Sequence, residues 1–479
     1  MAHHFRSAAA IADEVNAGAL DPVDVVNEFV ERIETRNEIT NAYLHVLDED
    51  ARIRARDVRQ RVEAGETLPL AGVPVAMKDL SDTKAGVPHT MGMKPLAGHV
   101  ADETSVSVRR LEDAGAVVVG TTNTPEMGHR VRTDNMLAGP TATPFDPDRN
   151  AGGSSGGSAA ALADGLCALA TGSDVGGSLR VPASCCGVVS VKPTRGLVPH
   201  GTSVNGYLGL KPFAVTGPMA RDVDSLARML DVMAGRDRVD PFSTPPPANY
   251  TDAVASAPAV DELTLAYSPT LDLFPVSSAV RDAVDETLSE LEDAGASVEE
   301  VSLDVPERSA INHANKVSVT TFFAMSIEEV NRLLGYDVLD RHADDVPDLL
   351  ETLVHVGETH ELTDYTHADF PRTELYHAVE DALSGYDALV CPTLATLPLT
   401  HDEPLPTEID GQPTDGLPTD HTLAWIFNLT GHPVVNVPAS LADGVPVGMQ
   451  LVGSTFSEAN LLGVAAAIER TCPWTYPDE

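Results

Sequence analysis

Apolar positions along the chain follow two periods, and their alternation predicts a protein built from both helices and strands. Residues 7–17 and 22–36 read as helices. In the second, Asp21 supplies an N-cap, Pro22 takes the first helical position, and Val25, Val26, Phe29, Val30 and Ile33 form one apolar stripe. Residues 42–47 read as a strand and 48–64 as a charged surface helix. The segment 70–78 then reads as a strand whose run Val-Pro-Val-Ala-Met carries Lys78 to a buried end.

A helix–Gly–strand plan occurs twice, over 104–119 around Gly115 and over 277–301 around Gly295. The hexapeptide Leu-Glu-Asp-Ala-Gly-Ala stands in both, at 111–116 and 291–296. Six residues are too few for a true repeat, so the two segments predict two αβ units of one mixed sheet. Residues 222–234 form a further helix and 243–247 a proline-rich connector. The stretch 303–385 is helix-rich and acidic, 386–392 is a strand, and 426–469 ends the chain with strand, strand and helix. A length of 479 residues admits two or three domains. The spread of the elements instead predicts one α/β domain over 1–479, a mixed β-sheet covered by helices on both faces.

Charge narrows the partners. Seventy-two acidic residues against 31 basic ones give a net charge of −41, which excludes nucleic acid and an anionic membrane as direct partners. The acids are dispersed rather than blocked, and lysine occurs at only six positions: 78, 84, 94, 192, 211 and 316. That pattern points to the cytoplasm of a salt-accumulating halophile rather than to an ordinary acidic enzyme. Five sparse cysteines without zinc spacing fit a reduced compartment, and Cys185-Cys186 is expected to pack as small apolar side chains. Histidines 313, 342, 355, 360, 367, 377 and 401 also lack a zinc pattern. No apolar run reaches membrane-spanning length, and the opening residues are expected to enter a helix rather than act as a signal peptide.

The stretch from Asn150 to Arg180 carries the densest chemistry. It reads Asn-Ala-Gly-Gly-Ser-Ser-Gly-Gly-Ser at 150–158, an Ala/Leu helix from 159, and Gly-Ser-Asp-Val-Gly-Gly-Ser-Leu-Arg at 172–180. A Gly/Ser loop that enters a helix offers free N–H groups and a positive dipole end, suited to an anion or a developing oxyanion. No Walker lysine follows the glycines. Gly152 to Gly156 matches a Gly-x-Ser-x-Gly nucleophile elbow, which requires a preceding strand; residues 144–150 read as turn chemistry instead.

These residues resemble the amidase signature family. The likeness covers Thr122-Asn123-Thr124-Pro125-Glu126, residues 152–160, 172–182 and 186–194, and the upstream Gly72-Val73-Pro74-Val75-Ala76-Met77-Lys78-Asp79. It resumes at Asn428-Leu429-Thr430-Gly431-His432-Pro433 and at 445–451. The resemblance implies a signature core over 60–235, a variable helical cover over 303–385 that shapes the acyl pocket, and a closing segment over 386–479. It implies a Ser-Ser-Lys hydrolase without metal or organic cofactor. Ser178 falls at the nucleophile, Ser154 at the bridging serine in a cis peptide, and Lys78 at the base. The N–H groups of Val175, Gly176, Gly177 and Ser178 are expected to form the oxyanion hole, with the glycines admitting the substrate closely. Ser155 and Asp174 are expected to orient the site, Asp174 equally as an ordinary loop cap. A serine hydroxyl needs an adjacent base, and lysine serves only if burial lowers its pKa.

Two activities share this signature. One is a stand-alone amidase that cleaves a small-molecule carboxylic amide to acid and ammonia or amine through a Ser178 acyl-enzyme, with a homodimer compatible with it. The other is the glutaminase subunit of a tRNA-dependent amidotransferase, which would require partner subunits. Against the second, His421 stands seven places before Asn428, where that subunit carries an acidic residue; Asp420 is one place away. Its Gly-Tyr-Tyr segment is also missing from 330–385. A non-catalytic binding protein would not need Lys78, Ser154 and Ser178 together.

The charge carries a measurable consequence. Self-repulsion of 41 excess negative charges destabilises the compact state at low ionic strength. The Debye length shrinks from ~10 Å at ~0.1 M salt to ~3 Å at ~1 M. Thermal unfolding should therefore move to higher temperature as KCl rises, and should follow ionic strength in potassium sulfate too. A melting temperature that is flat or falling from about 0.1 M to about 2 M KCl, where screening is nearly complete, would refute the salt-adapted reading.

Overall fold

In the computed structural model, eleven strands pair into one mixed sheet. Their order is Tyr43–Val46, Val117–Thr122, Pro74–Lys78, Leu169–Asp174, Val215–Ala220, Val189–Lys192, Val434–Ala442, Val445–Val452, Ala388–Pro392, Thr264–Tyr267 and Ser297–Glu300. The structure describes residues 3–201, 205–207 and 213–477. Pro74–Lys78 and Thr264–Tyr267 run parallel to both of their neighbours, and the other pairings are antiparallel. Pro74–Lys78, Val117–Thr122, Leu169–Asp174 and Val215–Ala220 are buried at every residue. Alternate side chains point to opposite faces, so these strands are covered on both sides. Helices Pro22–Thr40, Gly156–Ala163, Val223–Met233, Ser278–Asp293 and Glu458–Thr471 pack on the sheet.

The helix signals in the sequence act as expected. The Asp21 carboxylate accepts the Val23 N–H at 2.8 Å, Pro22 opens the helix, and the stripe from Val25 to Ile33 is buried. The twin units end alike. Helix Val106–Asp113 is followed by Gly115 at φ +95°, and Ser278–Asp293 by Gly295 at φ +111°. A Cβ at either glycine would stand within 3.0 Å of Leu68 or Asp261, so a left-handed, side-chain-free residue is required at both turns.

Other expectations need correction. The strand read over 70–78 begins at Pro74, because Leu70 to Val73 form a buried turn. Residues 144–150 are not plain turn: Ala142–Thr143 and Asp146–Asn150 pair as a short hairpin outside the main sheet. The helix expected from 159 begins three residues earlier, at Gly156. The chain end expected as strand, strand and helix opens instead with a short helix, Ile426–Thr430. Strands Leu169–Asp174, Val189–Lys192, Val215–Ala220 and Thr264–Tyr267 have no counterpart among the expected elements.

Residues 303–385 fold as helices Arg308–Leu334, Val338–Arg341, Asp348–Glu358 and Leu362–Leu383 with short links. They hold an apolar cluster of their own, in which Phe323, Ile327, Val330, Leu350 and Val354 pack with Met93, Leu96 and Met127. Cys185 and Cys186 are buried, free thiols. Among the described residues no helix is long and apolar enough to cross a membrane.

Candidate active site

Strands Pro74–Lys78 and Leu169–Asp174 are parallel neighbours, with Val75 opposite Leu169 and Ala76 opposite Ala170. Their C-terminal ends, Lys78 and Asp174, therefore reach the same edge of the sheet, where open α/β sheets present their sites. Lys78 is fully buried. Its Nζ lies 2.8 Å from Ser154 Oγ and 3.0 Å from Ser173 Oγ, and its backbone N–H donates to Thr171 Oγ1 at 3.1 Å. Burial drives the lysine pKa down to about 7, although Asp174 and Asp82 pull it upward. Near neutral pH the amine is thus available in its unprotonated form.

The Gly153–Ser154 peptide is cis. The loop carrying it is fixed by Asn150, whose Oδ1 accepts the Gly152 N–H at 3.0 Å, and by Thr133, whose Oγ1 accepts the Gly156 N–H at 3.0 Å. Ser155 ties this loop to the next one. Its N–H donates to the Ser178 carbonyl at 3.2 Å, and its hydroxyl meets the Ser173 N–H and carbonyl, each at 3.4 Å.

Asp174 caps the loop that follows it. Its buried carboxylate accepts from Gly177 N (2.7 Å), Leu179 N (3.1 Å), Arg180 Nε (3.0 Å), Arg180 Nη2 (3.0 Å) and Asn428 Nδ2 (2.7 Å). Burial alone would raise its pKa. The Arg180 guanidinium and the Asn428 amide outweigh that and hold the carboxyl well below the usual range. Arg180, itself fully buried, also donates to Ala424 O (2.6 Å), Gln450 Oε1 (2.8 Å) and Asn428 Oδ1 (2.6 Å).

This geometry revises the expected oxyanion hole. The Gly177 N–H is spent on Asp174, so it does not face a substrate. Among the described residues, the N–H groups of Val175, Gly176 and Ser178 meet no protein acceptor. Gly177 is needed for another reason than substrate approach. It holds φ +111°, and a Cβ there would stand 2.8 Å from Ala424 Cβ.

Ser154, Ser173, Val175 and Ser178 line a cavity of about 550 Å³. Leu80, Met91, Met127, Phe322 and Phe323 give it apolar walls, the two phenylalanines from helix Arg308–Leu334 of the helical cover. The charged side chains Asp102, Glu103, Arg109, Arg238 and Glu329 also line it; the first four are exposed and Glu329 is half-buried. Sequence reasoning missed Ser173, Arg180, Asn428 and Gln450 as members of the site. All four stand inside the motifs quoted above, which was the available signal.

Known proteins show the same arrangement at the level of sequence and fold. The amidase family profile matches residues 24–462. The chain belongs to the amidase family. The amidase is 35% identical over 475 residues to an acylamidase of Rhodococcus erythropolis, covering 98% of this chain and 96% of the relative. It is 36% identical over 502 residues to a glutamyl-tRNA(Gln) amidotransferase subunit of Salinispora tropica, covering 98% of each. A crystallised bacterial aryl acylamidase of the amidase signature enzymes superposes at TM-score 0.92 with 31% identity, over 98% of this chain and 97% of the other. The 6-aminohexanoate cyclic dimer hydrolase follows at 0.88 and 28%, over 99% of each. The protein is therefore an amide-hydrolysing enzyme built as a single amidase-signature domain.

In this amidase the Asp174–Arg180 pair admits a direct test. Removing one partner of a buried ion pair leaves an uncompensated charge and costs about 3–5 kcal/mol. Arg180→Met should lower unfolding stability by that order in urea titration, and adding Asp174→Asn should recover part of the loss. An Arg180→Met protein with the parent midpoint would show that the pair does not hold the loop.

Proposed function

We propose that the chain is a stand-alone amidase that hydrolyses neutral carboxylic amides with an apolar substituent, through an acyl-enzyme on Ser178. The carrying observation is the buried Lys78 amine, 2.8 Å from Ser154 Oγ and 3.0 Å from Ser173 Oγ, beneath a cavity that Ser178 also lines. A neutral amine has two N–H donors and one lone pair. Donation to Ser173 uses one N–H, and the lone pair can then receive the Ser154 hydroxyl proton across the 2.8 Å contact. As Ser178 Oγ attacks the amide carbon, its proton passes to Ser154 Oγ while the Ser154 proton passes to Lys78 Nζ. The carbonyl π pair moves onto oxygen, where the Val175, Gly176 and Ser178 N–H groups can receive it. Collapse breaks the C–N bond, and the proton returns from Nζ through Ser154 to the departing nitrogen. Water then repeats the sequence on the ester and frees the acid and Ser178.

The glutaminase reading has support in relatives such as the amidotransferase subunit of Salinispora tropica, and the site weighs against it. Glutamine brings an α-carboxylate and an α-ammonium, each of which needs a charged partner once desolvated. The cavity walls are largely Leu80, Met91, Met127, Phe322 and Phe323; of its charged lining residues Asp102, Glu103, Arg109 and Arg238 are exposed, and the half-buried Glu329, itself a carboxylate, cannot pair with an α-carboxylate. Asp420 and His421 are absent from the described cavity lining. The Asp420 carboxylate is taken by Arg308 and by the N–H groups of Asp415 and Leu417, and His421 Nδ1 by Thr396 Oγ1 at 2.9 Å. Dispersed acidic charge and scarce lysine support a cytoplasmic enzyme working at high salt.

Four measurements test the proposal. A fluorophosphonate should label Ser178 on mass spectrometry; a label on Ser154 or Cys186 would overturn the assignment. Ser178→Ala should abolish turnover, and Ser154→Ala and Lys78→Ala should each lose about 10³-fold or more, with the double variant little worse because the relay acts as a unit. Lys78 is charged below its pKa of about 7, so kcat/KM should rise with pH through one ionisation near that value. A Lys78→Met protein with the parent rate and profile would end the lysine-base mechanism. Glutamine turned over faster than neutral apolar amides would favour the amidotransferase reading.

A further inference from the structure

The relay sends the two halves of an amide in different directions. The carbonyl oxygen goes to the N–H groups of Val175, Gly176 and Ser178, and the departing nitrogen must come within hydrogen-bond reach of Ser154 Oγ, which gives it the proton. The substituents of an amide carbon lie in one plane, so fixing oxygen and nitrogen fixes the direction of the acyl chain. Strands Pro74–Lys78, Leu169–Asp174 and Val215–Ala220 are consecutive in the sheet, and Val215 pairs with Asp174. Lys78, Asp174 and Val215 therefore stand in that order along one edge. The cavity lining divides accordingly, with Leu80, Met127, Gly128 and Ser154 on the Lys78 side and Val175, Ala214 and Val215 on the other.

Few groups stand beside the Ser154 hydroxyl on the cavity side. Lys78 is fully buried and absent from the described cavity lining. Gly128 is the close neighbour: a Cβ there would lie 3.0 Å from Ser154 Oγ and 2.9 Å from Leu80 Cδ2. Met127 and Gly128 are consecutive left-handed residues, at φ +51° and +71°, a conformation that is costly for methionine and needs support from its surroundings. The Met127 N–H donates to the Met91 carbonyl and the Gly128 N–H to the Pro125 carbonyl, each at 2.8 Å, and buried Glu126 accepts the Met136 N–H at 2.9 Å. The turn so held sets bare backbone against Ser154, bounded by Leu80 and Met127. Met127 in turn packs with Met91 and Phe323 of the second apolar cluster.

We propose that the amine half of the substrate lies over Gly128, between Leu80 and Met127, so that the enzyme takes amides whose nitrogen carries an apolar substituent. The acyl half then extends along Ala214 and Val215. As the C–N bond breaks, its electron pair goes to nitrogen, which takes the Ser154 proton while Ser154 recovers one from Lys78 Nζ. The amine departs over Gly128, and the acyl group stays on Ser178. An N-alkyl group covers Leu80, Met91 and Met127 and gains their apolar burial, which a primary amide leaves unused. The inference rests on the proposed Ser178–Ser154–Lys78 proton path.

The test compares the primary amide and the N-butyl amide of one apolar acid. The parent should show the lower KM for the N-butyl amide. Gly128→Ala places a methyl group in the passage and should lower the ratio of kcat/KM, N-butyl to primary, by about tenfold or more, within the range one misplaced methylene commands. Crowding of Ser154 by that methyl slows both substrates alike and cancels in the ratio. Gly18→Ala controls for backbone strain, since Gly18 is left-handed at φ +68° with no atom within 4 Å of a Cβ, and it should keep the parent ratio. Leu80→Ala widens the same passage and should raise the relative rate of an N-tert-butyl amide; it serves if Gly128→Ala is unfolded or inactive. An unchanged ratio in the variant that can be assayed overturns the proposal. So does a parent KM that is no lower for the N-butyl amide, or a Gly128→Ala protein that discriminates primary amides by acyl length instead. Ser154→Ala separates the two readings. The parent rate in that variant removes the relay itself, whereas an inactive Ser154→Ala beside unchanged ratios removes only the place given to the amine.

Discussion

Asp174 carries a full negative charge out of contact with water, which the fold tolerates only because donors surround it. Arg180 and Asn428 supply the side-chain share, and the N–H groups of Gly177 and Leu179 supply the rest. Those bonds bend residues 174–180 into a tight loop and leave the Ser178 side chain on the cavity. Through Arg180 the same charge reaches Ala424, Asn428 and Gln450, so this loop is fastened to segments more than 240 residues further along. The breadth of the family likeness has a physical basis here, because the late motifs complete the solvation of an early carboxylate.

The two buried lysines show what a lowered pKa does and does not say. Lys78 and Lys192 are each pushed down to about 7, by burial first in both cases. Lys192 Nζ meets the Pro193 carbonyl at 3.3 Å and lies in the field of Arg180. Lys78 Nζ meets two serine hydroxyls in the cavity. Titration in the neutral range is common to both, and only one has a proton donor in line to use it. Scarcity of lysine was half an argument in the sequence, since Lys192 also ends a run of valines.

What could be read from the sequence followed the strength of local signals. The helix from Pro22 announced itself through Asp21, the proline and a single stripe. The twin units announced themselves through glycines that only a left-handed turn requires. Leu169–Asp174 gave no such sign, because Leu-Ala-Thr-Gly-Ser-Asp neither alternates nor clusters apolar residues. It is a strand because neighbours pair with it on both sides, a non-local fact. The hairpin at Asp146–Asn150 was hidden by its prolines and aspartates. Around the cavity, the family motifs drew attention to Lys78, Ser154 and Ser178, while Ser173 and Arg180 stood in the same motifs without an expected contact. Their contacts depend on which atoms meet, and Gly177 shows that a glycine beside Ser178 can serve packing against Ala424 instead.

The helical cover has its own apolar cluster, joined by Met93, Leu96 and Met127 but distinct from the main core. Substitutions in separate clusters combine nearly independently. One side of the cavity, built on Phe322 and Phe323, therefore belongs to a different cooperative packing unit from Lys78 and Asp174. Selection can recut that side of the cavity by changing residues of the second cluster. The contacts of Lys78 with Ser154 and Ser173 would be inherited intact through such changes.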